Sequence, residues 1–163
     1  MKVACLQMRP EFKNKAKSVE RAEALLEELN GPLDLICLPE MALIGYRFDD
    51  RADIEPYTEA APADLESIIN AIDTADPSTE ESKTEALQCS FKWALTVSKK
   101  FSPAWVAVGF AERDSEGRFF NSALVVNHQL IQCHIVRKTL LYDDDKKWAS
   151  TEESASGIQY NFQ

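Results

Sequence analysis

Residues 33–38 read LDLICL, and this short run constrains the chain more than any other feature. A nearly continuous apolar run of strand length is the pattern of a strand buried on both faces, as in a sheet covered by helices. Pro39 closes it, because proline has no N–H to extend a ladder. Glu40 follows at once. The pattern therefore places a carboxylate at the carboxyl end of a buried strand, where ligands bind in open α/β sheets. Burial there would suit Glu40 for proton transfer near neutral pH. Read from position alone, the other role open to it is capping the turn that follows.

The remaining chain alternates strand-like and helical periods, which predicts a layered α/β fold. Residues 3–8 read as a first strand. A helix is expected over 15–30, with Val19, Ala22, Leu25, Leu26 and Leu29 on one face, stopped by Gly31 and Pro32. Further helices are expected over 63–73 and 86–100. The polar stretch between them, at about 74–85, lacks periodicity and reads as a surface insertion. Three strands follow at 104–111, 119–127 and 130–137, with turns at 115–117 and at Asn127–His128. The chain stops shortly after IQYNF (158–162) with no closing helix, so it is expected to be the amino-terminal part of a longer domain.

Composition narrows the function classes. Hydrophobic residues make up 45% of 163, enough for a packed core despite a formal net charge of −9. That charge argues against a nucleic-acid partner, which requires clustered Lys and Arg. No apolar run is long enough to span a membrane. The amino terminus, VACLQM followed by Arg9, Pro10 and Glu11, does not read as a secretory leader. A cytoplasmic location is the expectation, with the nucleus as an alternative. Four cysteines lie far apart and only two histidines are present, so a zinc site has little raw material. Cys5, Cys37 and Cys133 are expected to be buried as small hydrophobes in their strands.

Lys138 closes the last strand. A lysine there is ordinarily a solvated charge, but beside a carboxylate in a cleft it could hold a developing oxyanion. The run Asp143, Asp144, Asp145, followed by Lys146 and Lys147, reads as a solvated turn rather than a magnesium site.

Four blocks, VACLQMRP at 3–10, LICLPEMALIGYRF at 35–48, VGFAERDSEGRFFNSALVV at 108–126 and VRKTLLYDDDKKW at 136–148, resemble the nitrilase superfamily of carbon–nitrogen hydrolases. The resemblance implies an αββα four-layer sandwich, of which this chain would supply an incomplete part. It also implies an enzyme for non-peptide linear amides that needs no metal or organic cofactor. Glu40 matches the family's acid–base glutamate, and Lys138 matches the lysine that stabilises the tetrahedral intermediate. Asp145 is the nearest match to a second acid, and Glu112 matches another recurrent acidic position, with ordering of the scaffold as its alternative. The family's nucleophile is a cysteine downstream of the lysine, and no cysteine follows Lys138 here.

The runs ALIGYRF, DIEPY and RKTLLYDDD are similar to a fungal branch that removes the side-chain amide of an amino-terminal Asn or Gln, within the N-degron pathway. Protein N-termini bearing Asn or Gln are then the expected partners, and a homo-oligomer is open. Two alternatives remain: hydrolysis of small amides or N-carbamoyl compounds, and a non-catalytic protein that binds an amide-bearing chain end or a partner. Half of such a sandwich would also leave an apolar sheet face uncovered, a surface that favours association.

Overall fold

The computed structural model describes residues 1–75 and 89–151. All of the expected insertion beyond Ala75, the start of the helix expected from 86, and the IQYNF run lie outside the described residues. Five strands form one mixed sheet in sequence order: β1 (Val3–Cys5), β2 (Leu35–Cys37), β3 (Trp105–Arg113), β4 (Phe119–Asn127) and β5 (Gln132–Arg137). β1, β2 and β3 run parallel, while β4 and β5 return antiparallel through short turns. Helices α1 (Lys15–Glu27), α2 (Arg51–Ile54), α3 (Leu65–Thr74) and α4 (Ser90–Lys100) complete the described fold, with 3₁₀ turns at Glu55–Tyr57 and Asp145–Lys147. None of these helices is long and apolar enough to cross a membrane.

The helices start where side chains satisfy their unpaired N–H groups. Asn14 accepts from the Lys17 amide at α1, and Asp64 from the Ser67 amide at α3. At α4 the capping residue, Cys89, contributes no side-chain bond. Glu59 substitutes from a distance, accepting from the Ser90 amide at 2.7 Å and its hydroxyl at 2.6 Å.

Strand alternation divides the sheet into two unlike faces. On one, Ile36, Val106, Val108, Phe110, Leu124, Val126, Cys133 and Ile135 pack with Val19, Ala22 and Leu26 of α1, Leu65 and Ile69 of α3, and Phe91, Ala94 and Leu95 of α4. Phe91 and Phe110 meet edge to face at 5.3 Å. On the other face Val3 and Val136 are exposed, and Leu35, Cys37, Trp105, Ala107, Ala123 and Val125 are only half-buried.

Two expectations are corrected by this asymmetry. β2 is covered on one face only, since no described element lies over Leu35 and Cys37. Cysteine burial follows the same division: Cys133 faces the helices and is buried, whereas Cys37 is half-buried and Cys5 exposed. Among the described residues, the apolar side chains on this second face are the more exposed ones.

Element limits also shift. β1 and β2 are shorter than the apolar runs containing them, although Leu6 still donates to the Cys37 carbonyl and Leu38 to the Ala107 carbonyl. α1 stops at Glu27, and β5 begins at Gln132 after a turn in which Ile131 takes a positive φ of 52°. The α2 and 3₁₀ segment at 51–57 was not legible, because one helical turn is too short to show a period.

Candidate active site

Glu40 is placed by the strand before it and the turn after it. Pro39 ends the β2 ladder, and Met41 adopts a left-handed φ of 48° that reverses the chain. Met41 accepts from the amides of Ile44 and Gly45, closing the turn. Met41, Ala42, Leu43 and Ile44 are all buried. This apolar plug fixes the backbone behind the carboxylate while the Glu40 side chain stays 43% exposed. The burial expected of Glu40 is therefore absent in this chain, because its side chain points to the open face of the sheet.

Gly109 on β3 makes that position possible. A Cβ added there would lie 2.4 Å from the Met41 nitrogen and 2.7 Å from Glu40 Cα. The Glu40–Met41 backbone thus rests directly on the glycine.

Lys138 extends β5 by one residue, its amide donating to the Asn121 carbonyl at 2.8 Å. Its Nζ donates to Glu40 Oε1 at 2.7 Å and to Asp145 Oδ2 at 2.7 Å. Asn121, buried on β4, donates through Nδ2 to Glu40 Oε1 at 2.5 Å and to Asp145 Oδ1 at 3.0 Å. The four side chains close a ring. Desolvation works to lower the Lys138 pKa, but the hydrogen bonds it donates to Asp145 and Glu40, together with their charges, raise it overall. An ammonium held charged in this way is suited to stabilising negative charge on oxygen.

Asp145 is not the solvated turn residue expected from its run of charges. It begins the second 3₁₀ turn, and its side chain is only 6% exposed. The Tyr142 amide adds a third bond to it at 3.1 Å. Trp148, buried against Phe48, and the bond from the Ser150 amide to the Phe119 carbonyl hold this segment on the sheet.

Glu112 lies on the helix-covered face and is not brought to Glu40. Its carboxylate takes Arg137 at 2.5 Å and the Ser122 hydroxyl at 2.7 Å, with Arg137 stacked 3.7 Å over the Phe120 ring. Asn121 and Gly109 were missed by sequence reasoning. Both stand inside a quoted motif block, but only strand register reveals what they touch.

The ring borders an open depression of about 380 Å³, floored by Ala107, Gly109, Ala123 and Val136. None of the four cysteines lines it. Cys133 is buried on the opposite face, and its thiol is pushed up to about 12 by desolvation. Among the described residues no group of three His, Cys, Asp or Glu side chains could hold a metal ion.

Comparison with known proteins shows what the chain as a whole resembles. The chain is 32% identical over 98% of its length to the protein N-terminal amidase of Saccharomyces cerevisiae, and 24% identical over 92% to that of Schizosaccharomyces pombe. It spans 30% and 46% of those two proteins. Crystal structures of N-terminal amidase superpose over 96% of the chain with TM-scores of 0.70 and 0.71, the chain spanning 32% of each. A carbon–nitrogen hydrolase superfamily protein from Xanthomonas campestris, 19% identical with a TM-score of 0.59, shares the fold.

These relatives correct one expectation, that of an enzyme for non-peptide linear amides. They are protein N-terminal amidases, and solved examples hold Asn-Glu-Ala, Asn-Glu, Gln-Gly and Gln-Val peptides. A carboxylate and an ammonium suited to cleaving an amide say nothing of the molecule that bears it. The carbon–nitrogen hydrolase family model matches residues 2–156, and with its nitrilase-like fold the chain belongs to the carbon–nitrogen hydrolase family.

Proposed function

We propose that this chain contributes the acid–base and oxyanion-binding groups of an amidase that removes the side-chain amide of an amino-terminal Asn or Gln. The sulfur nucleophile would come from residues other than the four cysteines described above. One observation carries the reading: Lys138 joins Glu40 and Asp145 at 2.7 Å each, beside an open depression just past the carboxyl end of β2 and over the middle of β3. The similarity to enzymes solved with Asn- and Gln-starting peptides supports the substrate.

Glu40 takes the thiol proton as sulfur adds to the carboxamide carbon. The carbonyl electron pair moves onto oxygen, which Lys138 Nζ stabilises. Collapse breaks the C–N bond, and the departing nitrogen leaves as ammonia with the proton from Glu40. Glu40 then removes a proton from water as it attacks the thioester, and returns that proton to sulfur.

The test is ammonia release from Asn-Glu-Ala and Gln-Gly peptides by the native polypeptide isolated from its own cells. Release that disappears in a Glu40→Gln variant is expected. Peptide binding without release, or release that persists in Glu40→Gln, overturns the reading. The 163-residue chain by itself is expected to release none.

A further inference from the structure

We infer that Asn121 is the positioning residue of this site, tying Glu40 to Asp145 and reserving Glu40 Oε2 for proton transfer. The inference rests on the amidase reading for its chemistry and on three contacts for its geometry. Asn121 touches every other member of the ring: its Nδ2 donates to Glu40 and Asp145, and its carbonyl accepts from the Lys138 amide.

The two oxygens of Glu40 are not equivalent. Oε1 accepts from both Asn121 Nδ2 and Lys138 Nζ. No described donor reaches Oε2, and the side chain that carries it is 43% exposed. A carboxylate held through one oxygen cannot rotate freely, so the free oxygen keeps a fixed direction. Asp145 is used up differently. Oδ1 takes Asn121, and Oδ2 takes Lys138 and the Tyr142 amide. With both oxygens engaged and almost no exposure, Asp145 serves as an anchor rather than a proton carrier.

Charge makes the amide necessary. Two carboxylates converge on one ammonium, and like charges this close repel. Asn121 supplies one N–H to each acid without adding charge. Its identity matters: aspartate at 121 would offer no N–H and would add a third carboxylate. The charged groups facing position 121 are Glu40 from the turn after β2, Lys138 from the end of β5, and Asp145 from the 3₁₀ turn. Glu112 and Arg137 face the opposite side of the sheet.

Two measurements separate this inference from the amidase reading. In the ¹⁵N-labelled protein, the Asn121 side-chain amide signals are expected to move in Glu40→Gln and, separately, in Asp145→Asn. In the native enzyme, Asn121→Ala is expected to lower kcat about 10- to 100-fold while KM stays within about twofold. The acid limb of its pH–rate profile should move to higher pH, because the charged form of the base has lost a donor. Asn121→Asp should move it further in the same direction. A fall in kcat with an unmoved acid limb overturns the positioning role and leaves the amidase reading standing. If the native polypeptide has no turnover, the amidase reading fails and the amide signals decide alone: response to both variants keeps the link, and response to one or neither overturns it.

Discussion

Gly109→Ala tests whether backbone contact under Glu40 sets the site. The new methyl would lie 2.4 Å from the Met41 nitrogen, and the gap must open by 0.6 Å to reach even 3.0 Å. An ordinary contact at 3.4 Å requires 1.0 Å. The neighbouring atoms, Met41 N, Glu40 Cα and Glu40 C, are all backbone, so no side chain can swing aside. Relief therefore requires the Glu40–Met41 backbone to lift off β3, carrying the Glu40 side chain with it. A shift near 1 Å in a reacting group costs about 100-fold in rate, and overpacking of this kind costs about 1–3 kcal/mol of stability. Turnover on an Asn-starting peptide, read beside a urea melt, measures both. Turnover within threefold of wild type, with an unchanged melt, would show that the glycine does not set the position of Glu40.

Other outcomes follow from neighbouring contacts. Lys138→Ala should lower kcat by about 10² to 10³ with little change in KM, as expected for a group that acts on the transition state; a change confined to KM would assign it to binding. Glu112→Ala should destabilise the fold by about 3 kcal/mol in a urea melt, since it removes the carboxylate that Arg137 meets at 2.5 Å inside the core, while Glu112→Leu with Arg137→Met should recover much of that loss. Cys133 should make stability fall at high pH. Its folded pKa of about 12 exceeds the ordinary value of 9.0, so its contribution is complete below pH 9 and is lost as pH rises toward 12, by up to about 4 kcal/mol. Melts across that range for wild type and Cys133→Ala would check it. With iodoacetamide at neutral pH, the exposed Cys5 should be labelled before Cys133, which should react only on unfolding.

Much of this arrangement was legible before any coordinates. Glu40 and Lys138 announce themselves because each ends a strand, and strand ends are readable from apolar runs and their stops. The 119–127 strand matched to the residue because Gly117 and Asn127 bracket an apolar run. Asp145 was obscured by its neighbours. Three consecutive acids followed by two lysines look solvated, and nothing in that string shows which carboxylate turns inward. Asn121 and Gly109 depend on cross-strand register and on the path of the chain after β2, neither of which is a local property. The burial expected for β2 and Cys5 failed because an apolar run records that a residue is fit for burial, while the cover must come from another element.

Arg137 and Lys138 are adjacent, yet one binds Glu112 in the covered core and the other reaches Glu40 on the open side. Their division of labour is a matter of parity along β5. The preceding turn at 128–131 sets that parity. Losing or gaining one residue there, without a compensating bulge, would present lysine to the core and arginine to the cleft. A frame-preserving deletion of a single codon, in a surface turn far from the carboxylates, would then disable folding and chemistry together. A substitution at the exposed turn position 129 would leave that parity unchanged.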